Sequence, residues 1–276
     1  MNEPVVIPVQ WAPAAGVHAF VTTRHGGGSI NKFHSFNLAL HVGDDAAAVT
    51  RNRNLLLTSL RRQCARPALQ LQWLQQVHGT GVWHATNTAV EPPPQADALY
   101  TTEPDIVLGV LTADCLPVLF SAVDGSEIAV AHAGWRGLCN GVLEATLRNF
   151  STAPAQVQCW LGPAIGPCHF EVGDEVRSAF VAHARPQDQA ATLAAFAAGH
   201  SAGKWMGDLY QLARIRLRAA GVNEVAGQPL CTVCHAADYY SYRQQATTGR
   251  FATVIVRTAC SNLTDPRPSP AASPAR

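Results

Sequence analysis

The sequence predicts an α/β protein, a single-domain layered sandwich with mixed β-sheets. Short runs rich in Val, Ile and Leu are interleaved with amphipathic, Ala-rich stretches. The interleaving lacks the regular strand–helix–strand alternation of a parallel doubly wound sheet, which points to layers of mixed sheets. Between Val17 and Arg257 no stretch has the composition of a linker, so residues 1–260 read as one domain.

Taken in order, "VHAFVT" (Val17 to Thr22) reads as a strand and "TTRHGGGS" after it as a Gly-rich loop. Asp45 to Leu60 reads as a helix, and "EPPPQ" (Glu91 to Gln95) as a loop. "DALYTT", "DIVLGVLT", "LPVLF" and "EIAVAHAG" are successive strands, and "VQCWLG" is another. Leu138, Val142, Leu143, Leu147 and Phe150 share one helical face. Ala-rich helices fill Asp174 to Ala198 and Asp208 to Ala220, and "RFATVIVR" closes the fold as a strand. Residues 261–276 lie in a Pro/Ser/Ala-rich tail expected to be disordered.

Composition excludes several classes. The 276 residues are 47% hydrophobic and 14% charged, with a net charge of +1. That balance leaves no electrostatic footprint for nucleic acid or an acidic membrane surface. Ile106 to Val123 is the most apolar stretch, but Asp114 and Pro117 break it into two buried strands rather than a membrane span. Eight cysteines in a chain this long are too sparse for a disulfide scaffold. The N-terminus lacks a basic start followed by an apolar run, so a cytoplasmic protein with reduced thiols is expected.

Three segments each bring a reactive group beside Gly or Asp: "QQVHGT" with His78, "TADCLP" with Cys115 and "AHAGWRG" with His132. Singly, each has a bland reading as a turn histidine or a small core thiol. Together, two imidazoles and a thiolate suit zinc, with copper as second choice. Three protein ligands would leave the fourth position open, as catalytic sites do. Asp114 beside Cys115 could move protons there, or make a strand-end hydrogen bond. The same Cys115 and His132 could instead form a metal-free thiolate–imidazolium dyad for acyl chemistry. "CTVCH" (Cys231 to His235) matches a haem-attachment pattern, but attachment needs export. Structural thiols, a redox pair or a second metal site stay open there. The chain has 11 histidines and no H-x-H pair, so ligands for one metal are visible rather than those of a multicopper oxidase.

The motifs "TTRHGG", "QVHG", "TADCLPVLF", "AHAGWRGL", "LGPAIGP" with "FEVGDEV", "DLYQLAR" and "SYRQQATTGR" occur in this order. Together they resemble the YfiH-type family, also called the laccase-like or polyphenol oxidase domain family. The resemblance implies a layered α/β fold related to the cytotoxic necrotizing factor deamidases. It implies a metal, usually zinc, at His78, Cys115 and His132. It also implies phosphorolysis of purine nucleosides (adenosine, inosine, guanosine, methylthioadenosine) and deamination of adenosine. Peptidoglycan precursor editing and copper-dependent phenol oxidation are the alternatives attached to the family. Purine nucleoside and phosphate are then the expected partners, with the protein a monomer or homodimer. Phosphorolysis needs a cation near the attacking phosphate, for which Arg24 and Arg136 are candidates, and Asn37 could bond a base or ribose.

Overall fold

The computed structural model describes residues 4–88 and 90–258. The segment 261–276, expected to be a disordered tail, lies outside the described residues. The strands are β1 (Val6–Pro8), β2 (Val17–Thr22), β3 (Gln70–Gln72), β4 (Val82–His84), β5 (Ala98–Thr101), β6 (Ile106–Thr112), β7 (Leu116–Ala122), β8 (Ile128–Ala133), β9 (Val157–Leu161), β10 (Glu171–Gly173), β11 (Phe196–Ala198), β12 (Lys204–Gly207), β13 (Glu224–Ala226) and β14 (Phe251–Arg257). The α-helices are α1 (Ala46–Gln63), α2 (Trp135–Asn140), α3 (Val142–Leu147), α4 (Asp174–His183), α5 (Gln189–Ala194) and α6 (Leu209–Ala219).

Two mixed sheets face each other. One has five strands in the order β1-β2-β14-β6-β3, the other six in the order β13-β9-β7-β8-β5-β4. The period-2 alternation of side chains sorts each strand between two cores. In β6, Ile106, Leu108 and Val110 point between the sheets, while Val107 and Leu111 point to the layer beneath α1. In β7, Leu119 faces between the sheets, while Val118 and Phe120 face the outer helices. The result is four layers: α1, the five-stranded sheet, the six-stranded sheet, then α2 to α6 with a three-stranded sheet, β10-β12-β11. This is the mixed, layered α/β class that the sequence predicts.

Two local features differ from the sequence expectation. The helical face from Leu138 to Phe150 is two helices, because Gly141 has φ 99° and ends α2 before α3 begins. Asp174 to Ala198 is not one helix: Ala184, just before the Arg185-Pro186 pair, is extended, and Phe196–Ala198 is strand β11. The apolar stretch from Ile106 to Val123 forms two strands, as the sequence predicts. β6 ends at Thr112, and the chain crosses from one sheet to the other through Ala113, Asp114 and Cys115 before β7. That crossover puts an acid and a thiol at the rim of the inter-sheet layer.

Candidate active site

His132 occupies the same face of β8 as Ile128 and Val130, so it closes one end of the inter-sheet core. Its backbone N–H donates to the Asp97 carbonyl at 2.7 Å, just ahead of β5. The Asp97 side chain is fully buried and is the hub of the site. Its Oδ1 accepts from His132 Nδ1 and from the His78 backbone N–H, both at 2.9 Å. Its Oδ2 accepts from the Gly79 N–H at 2.6 Å and the Val77 N–H at 3.3 Å. One carboxylate thus orients one histidine by its ring and the other by its backbone. His78 sits in the left-handed region at φ 59°, held there by this turn of N–H donors around the carboxylate.

His78 Nε2 lies 3.8 Å from Cys115 Sγ, and the ligand atoms of His78, Cys115 and His132 all fall within 4.8 Å of one another. The structure therefore brings together the three residues that sequence reasoning paired with a metal. The donor set fits such an ion. A proton on His132 Nδ1, donated to Asp97, leaves the Nε2 lone pair aimed at the cluster, the arrangement that fixes metal-binding tautomers. Space is kept for it by Gly134, where a Cβ would stand 2.9 Å from His78 Cδ2 and 3.1 Å from Cys115 Sγ.

The electrostatics pair a Cys115 thiolate with a charged His132, whose Nε2 proton an arriving ion would displace. Burial pushes the Asp97 carboxyl up, but the hydrogen bonds from His132 and the backbone N–H groups outweigh it, so its pKa falls below the ordinary value. Burial also disfavours the Cys115 thiolate, yet the His132 charge and the hydrogen bonds of both imidazoles bring its pKa down to about 6. Burial opposes the charged His132, but the Cys115 thiolate and Asp97 raise its pKa to about 9.

The cluster opens into a cavity of about 410 Å³. Leu111, Ile165, Leu209, Phe170, Trp135 and Tyr242 supply apolar and aromatic walls, and Tyr242 is half exposed at the mouth. Arg243 and Arg250 supply the cationic side, and His41 lies beside them with its pKa lowered by burial and by Arg250 and Arg53. Arg250 is anchored through Nη1 on the carbonyls of Thr248 and Gly249, each at 2.9 Å. Arg243 donates to the carbonyls of His169 at 2.7 Å and Glu171 at 3.1 Å.

Asp114 also lines the cavity. At φ 91° it occupies backbone space that disfavours most side chains. Its Oδ1 accepts from Thr232 Oγ1 at 2.6 Å, and its Oδ2 from the Arg243 N–H at 2.7 Å and Ser241 Oγ at 3.1 Å. Asp114 therefore ties the crossover to the 232–243 segment as well as standing beside Cys115.

The remaining expected binding residues lie elsewhere. Arg24 is not among the cavity-lining residues: its guanidinium donates to the carbonyls of His34 and Ala236 and stacks on Tyr240. Asn37 is fully buried, donating to the Ala39 carbonyl and to Asp44 and accepting the N–H groups of Ala39 and Arg250. It supports Arg250 from behind. Arg136 is exposed and stacks on Trp135, whose other contacts form the cavity wall. Sequence reasoning did not single out Asp97, His41, Arg243 or Arg250. The available signals were an acid opening a strand in "QADALY" and two arginines within "SYRQQATTGR".

A fold of this kind, with a Cys/His cluster at the floor of an inter-sheet cavity, has relatives. Residues 18–258 match the family described as multi-copper polyphenol oxidoreductase laccase. A Pseudomonas aeruginosa protein named purine nucleoside phosphorylase is 47% identical over 246 residues, covering 89% of this chain and 95% of its own. Escherichia coli purine nucleoside phosphorylase YfiH is 44% identical, covering 91% of this chain and 98% of its own. The crystal structure of Neisseria meningitidis protein NMB0706 superposes with a TM-score of 0.83 at 40% identity, covering 92% of this chain and 99% of that one. This chain belongs to the YfiH-type, laccase-like family.

Proposed function

We propose that this protein is a metal-dependent purine nucleoside phosphorylase, with zinc at His78, Cys115 and His132 and with adenosine deaminase activity in the same cavity. The observation that carries this reading is the three-ligand cluster opening on an aromatic-walled cavity of about 410 Å³. The names of relatives that match nearly the whole chain supply the substrate class.

When bound, the metal supplies Lewis acidity at an open coordination position. The chain's own residues do the rest. Asp97 holds His132 in the tautomer that presents Nε2. Trp135, Phe170 and Tyr242 offer faces on which a purine stacks and from which water is displaced. Arg250 and Arg243 bring positive charge to the phosphate that attacks the ribose C1′ carbon. Asp114 handles protons for the leaving purine or the leaving ammonia. Zinc is preferred over copper because one thiolate and two imidazoles suit it, and copper is the second choice. Against multicopper chemistry stands the ligand inventory: among the described residues, His78, His132 and His169 are the only histidines in clusters that could hold an ion.

One observation favours a second reading. Asp97, His132 and Cys115 follow each other as acid, imidazole and thiol, the order of a nucleophilic triad. A metal-free Cys–His hydrolase or amidase acting on a cell-wall precursor would use it. The test is purified protein of known metal content incubated with adenosine and inosine, with and without phosphate. The phosphorylase reading predicts phosphate-dependent release of free base, and phosphate-independent ammonia from adenosine. Metal-free protein whose Cys115 is alkylated rapidly, with no base released from either nucleoside, would favour the hydrolase.

A further inference from the structure

A second group of ligating side chains stands behind the cavity wall. Cys168, His169, Cys231 and Cys234 have their donor atoms within 4.8 Å of one another, and none of them lines the cavity. We propose that these four residues form a closed, structural zinc site, separate from the cluster of His78, Cys115 and His132 and independent of the reaction assigned to it.

The geometry argues for an ion rather than for packed thiols. Three sulfurs converge on one nitrogen: Cys168 Sγ, Cys231 Sγ and Cys234 Sγ lie 3.2, 3.5 and 3.6 Å from His169 Nδ1. A single imidazole nitrogen carries either one proton or one lone pair, so it cannot make three hydrogen bonds. A cation at the centre of the four atoms satisfies all of them at once. With zinc bonds of about 2.3 Å to sulfur and about 2.05 Å to nitrogen, a tetrahedral site has sulfur–sulfur edges of about 3.8 Å and nitrogen–sulfur edges of about 3.6 Å. The Cys168–Cys234 sulfur separation is 3.6 Å, and the three nitrogen distances approach the other edge from below. All four cysteine and histidine donors come from two segments, and three thiolates with one imidazole is a donor set that selects zinc.

The backbone is arranged to receive it. Ala164 and Cys231 form a parallel bridge, with the Thr232 N–H donating to the Ala164 carbonyl at 3.0 Å. Gly166 makes room: a Cβ there would lie 2.9 Å from Cys231 Cβ and 3.4 Å from both Cys231 Sγ and Cys168 Sγ. The consequence reaches the cavity. The metal would pin the loop carrying Ile165 and Phe170 to the segment carrying Arg243, whose guanidinium already caps the His169 carbonyl.

The experiment is metal analysis of the full-length protein and of variants. The wild type is expected to hold two zinc ions per chain. His78→Ala with Cys115→Ser should hold one, and Cys168→Ser with Cys234→Ser should hold one. Where the second variant fails to fold, the first carries the test. Loaded with cobalt, it should show an intense sulfur-to-metal charge-transfer band although Cys115 is gone. Wild-type protein with a single zinc, lost completely with His78→Ala and Cys115→Ser, would overturn the proposal. So would a mass 2 Da lower in unreduced protein that maps to a Cys168–Cys234 disulfide.

Discussion

Replacing Asp97 with Asn tests the architecture of the site through a residue that touches neither metal nor substrate. The carboxylate accepts four hydrogen bonds, two on each oxygen. An amide has one oxygen, and its NH2 is a donor. With the oxygen toward His132, the NH2 meets the Gly79 and Val77 N–H groups. With the oxygen toward Gly79, the NH2 meets the His78 N–H and His132 Nδ1. The second orientation is relieved if the imidazole moves its proton to Nε2, which removes the lone pair the metal needs. Either orientation leaves buried donors facing donors, at about 1–3 kcal/mol for each group left unpaired. Loss of such a supporting carboxylate typically lowers metal affinity about 10–100-fold. The assay is competition for zinc against a chromogenic chelator, with the thermal midpoint measured in parallel. Asp97→Asn is expected to bind zinc at least about 10-fold more weakly while remaining folded. Wild-type affinity in a folded variant would refute the claim that Asp97 sets the tautomer.

Asp114→Asn can keep its bonds, since its oxygen can take the place of Oδ2 and accept from Ser241 Oγ and the Arg243 N–H, while the Thr232 hydroxyl turns to accept from the amide. It is expected to stay folded and metal-replete yet lose about 100–10,000-fold in turnover of adenosine and inosine, and full activity would leave Asp114 as an anchor only. Arg250→Met removes the cavity-edge charge, so KM for phosphate should rise roughly 10–100-fold while KM for the nucleoside moves less; equal changes in both would reject the phosphate assignment. Far from the site, Glu127 is buried, which pushes its pKa up, but Tyr100 Oη, Thr152 Oγ1 and the Ser151 and Thr152 N–H groups donate to it and pull it below 4.5. A depressed carboxyl contributes stability that is full above its unfolded pKa and is lost as pH falls through the folded value. Glu127→Gln should therefore cost about 2–4 kcal/mol near neutrality, and the gap in thermal midpoint between it and wild type should close as pH falls below 4.5. A gap that stays constant with pH would show that Glu127 contributes through packing alone.

The strands that form the two sheet centres were legible because apolar β-branched runs have few other uses. The short strands, β1, β3, β4 and β10 to β13, were not, since three or four residues carry too little pattern to separate them from loops. His78, Cys115 and His132 could be read as a group because each sits at a strand end or turn beside Gly or Asp. Their partner Asp97 could not. An acid before a buried strand looks like any strand-edge residue until the fold places β8 next to β5. Arg24 drew attention through its Gly-rich neighbourhood, but the fold spends that guanidinium on backbone carbonyls and brings Arg243 and Arg250 to the cavity instead. Side-chain chemistry was visible in the chain; which cation faces the cavity depended on where the loops close.

The most direct test is inosine turnover against phosphate concentration, run on protein as purified, after chelation, and after zinc is restored. The account predicts hypoxanthine release that requires phosphate, is lost with the metal, returns with zinc, and is absent in Cys115→Ser. Phosphate-dependent release that persists in the chelated protein and in Cys115→Ser would contradict it.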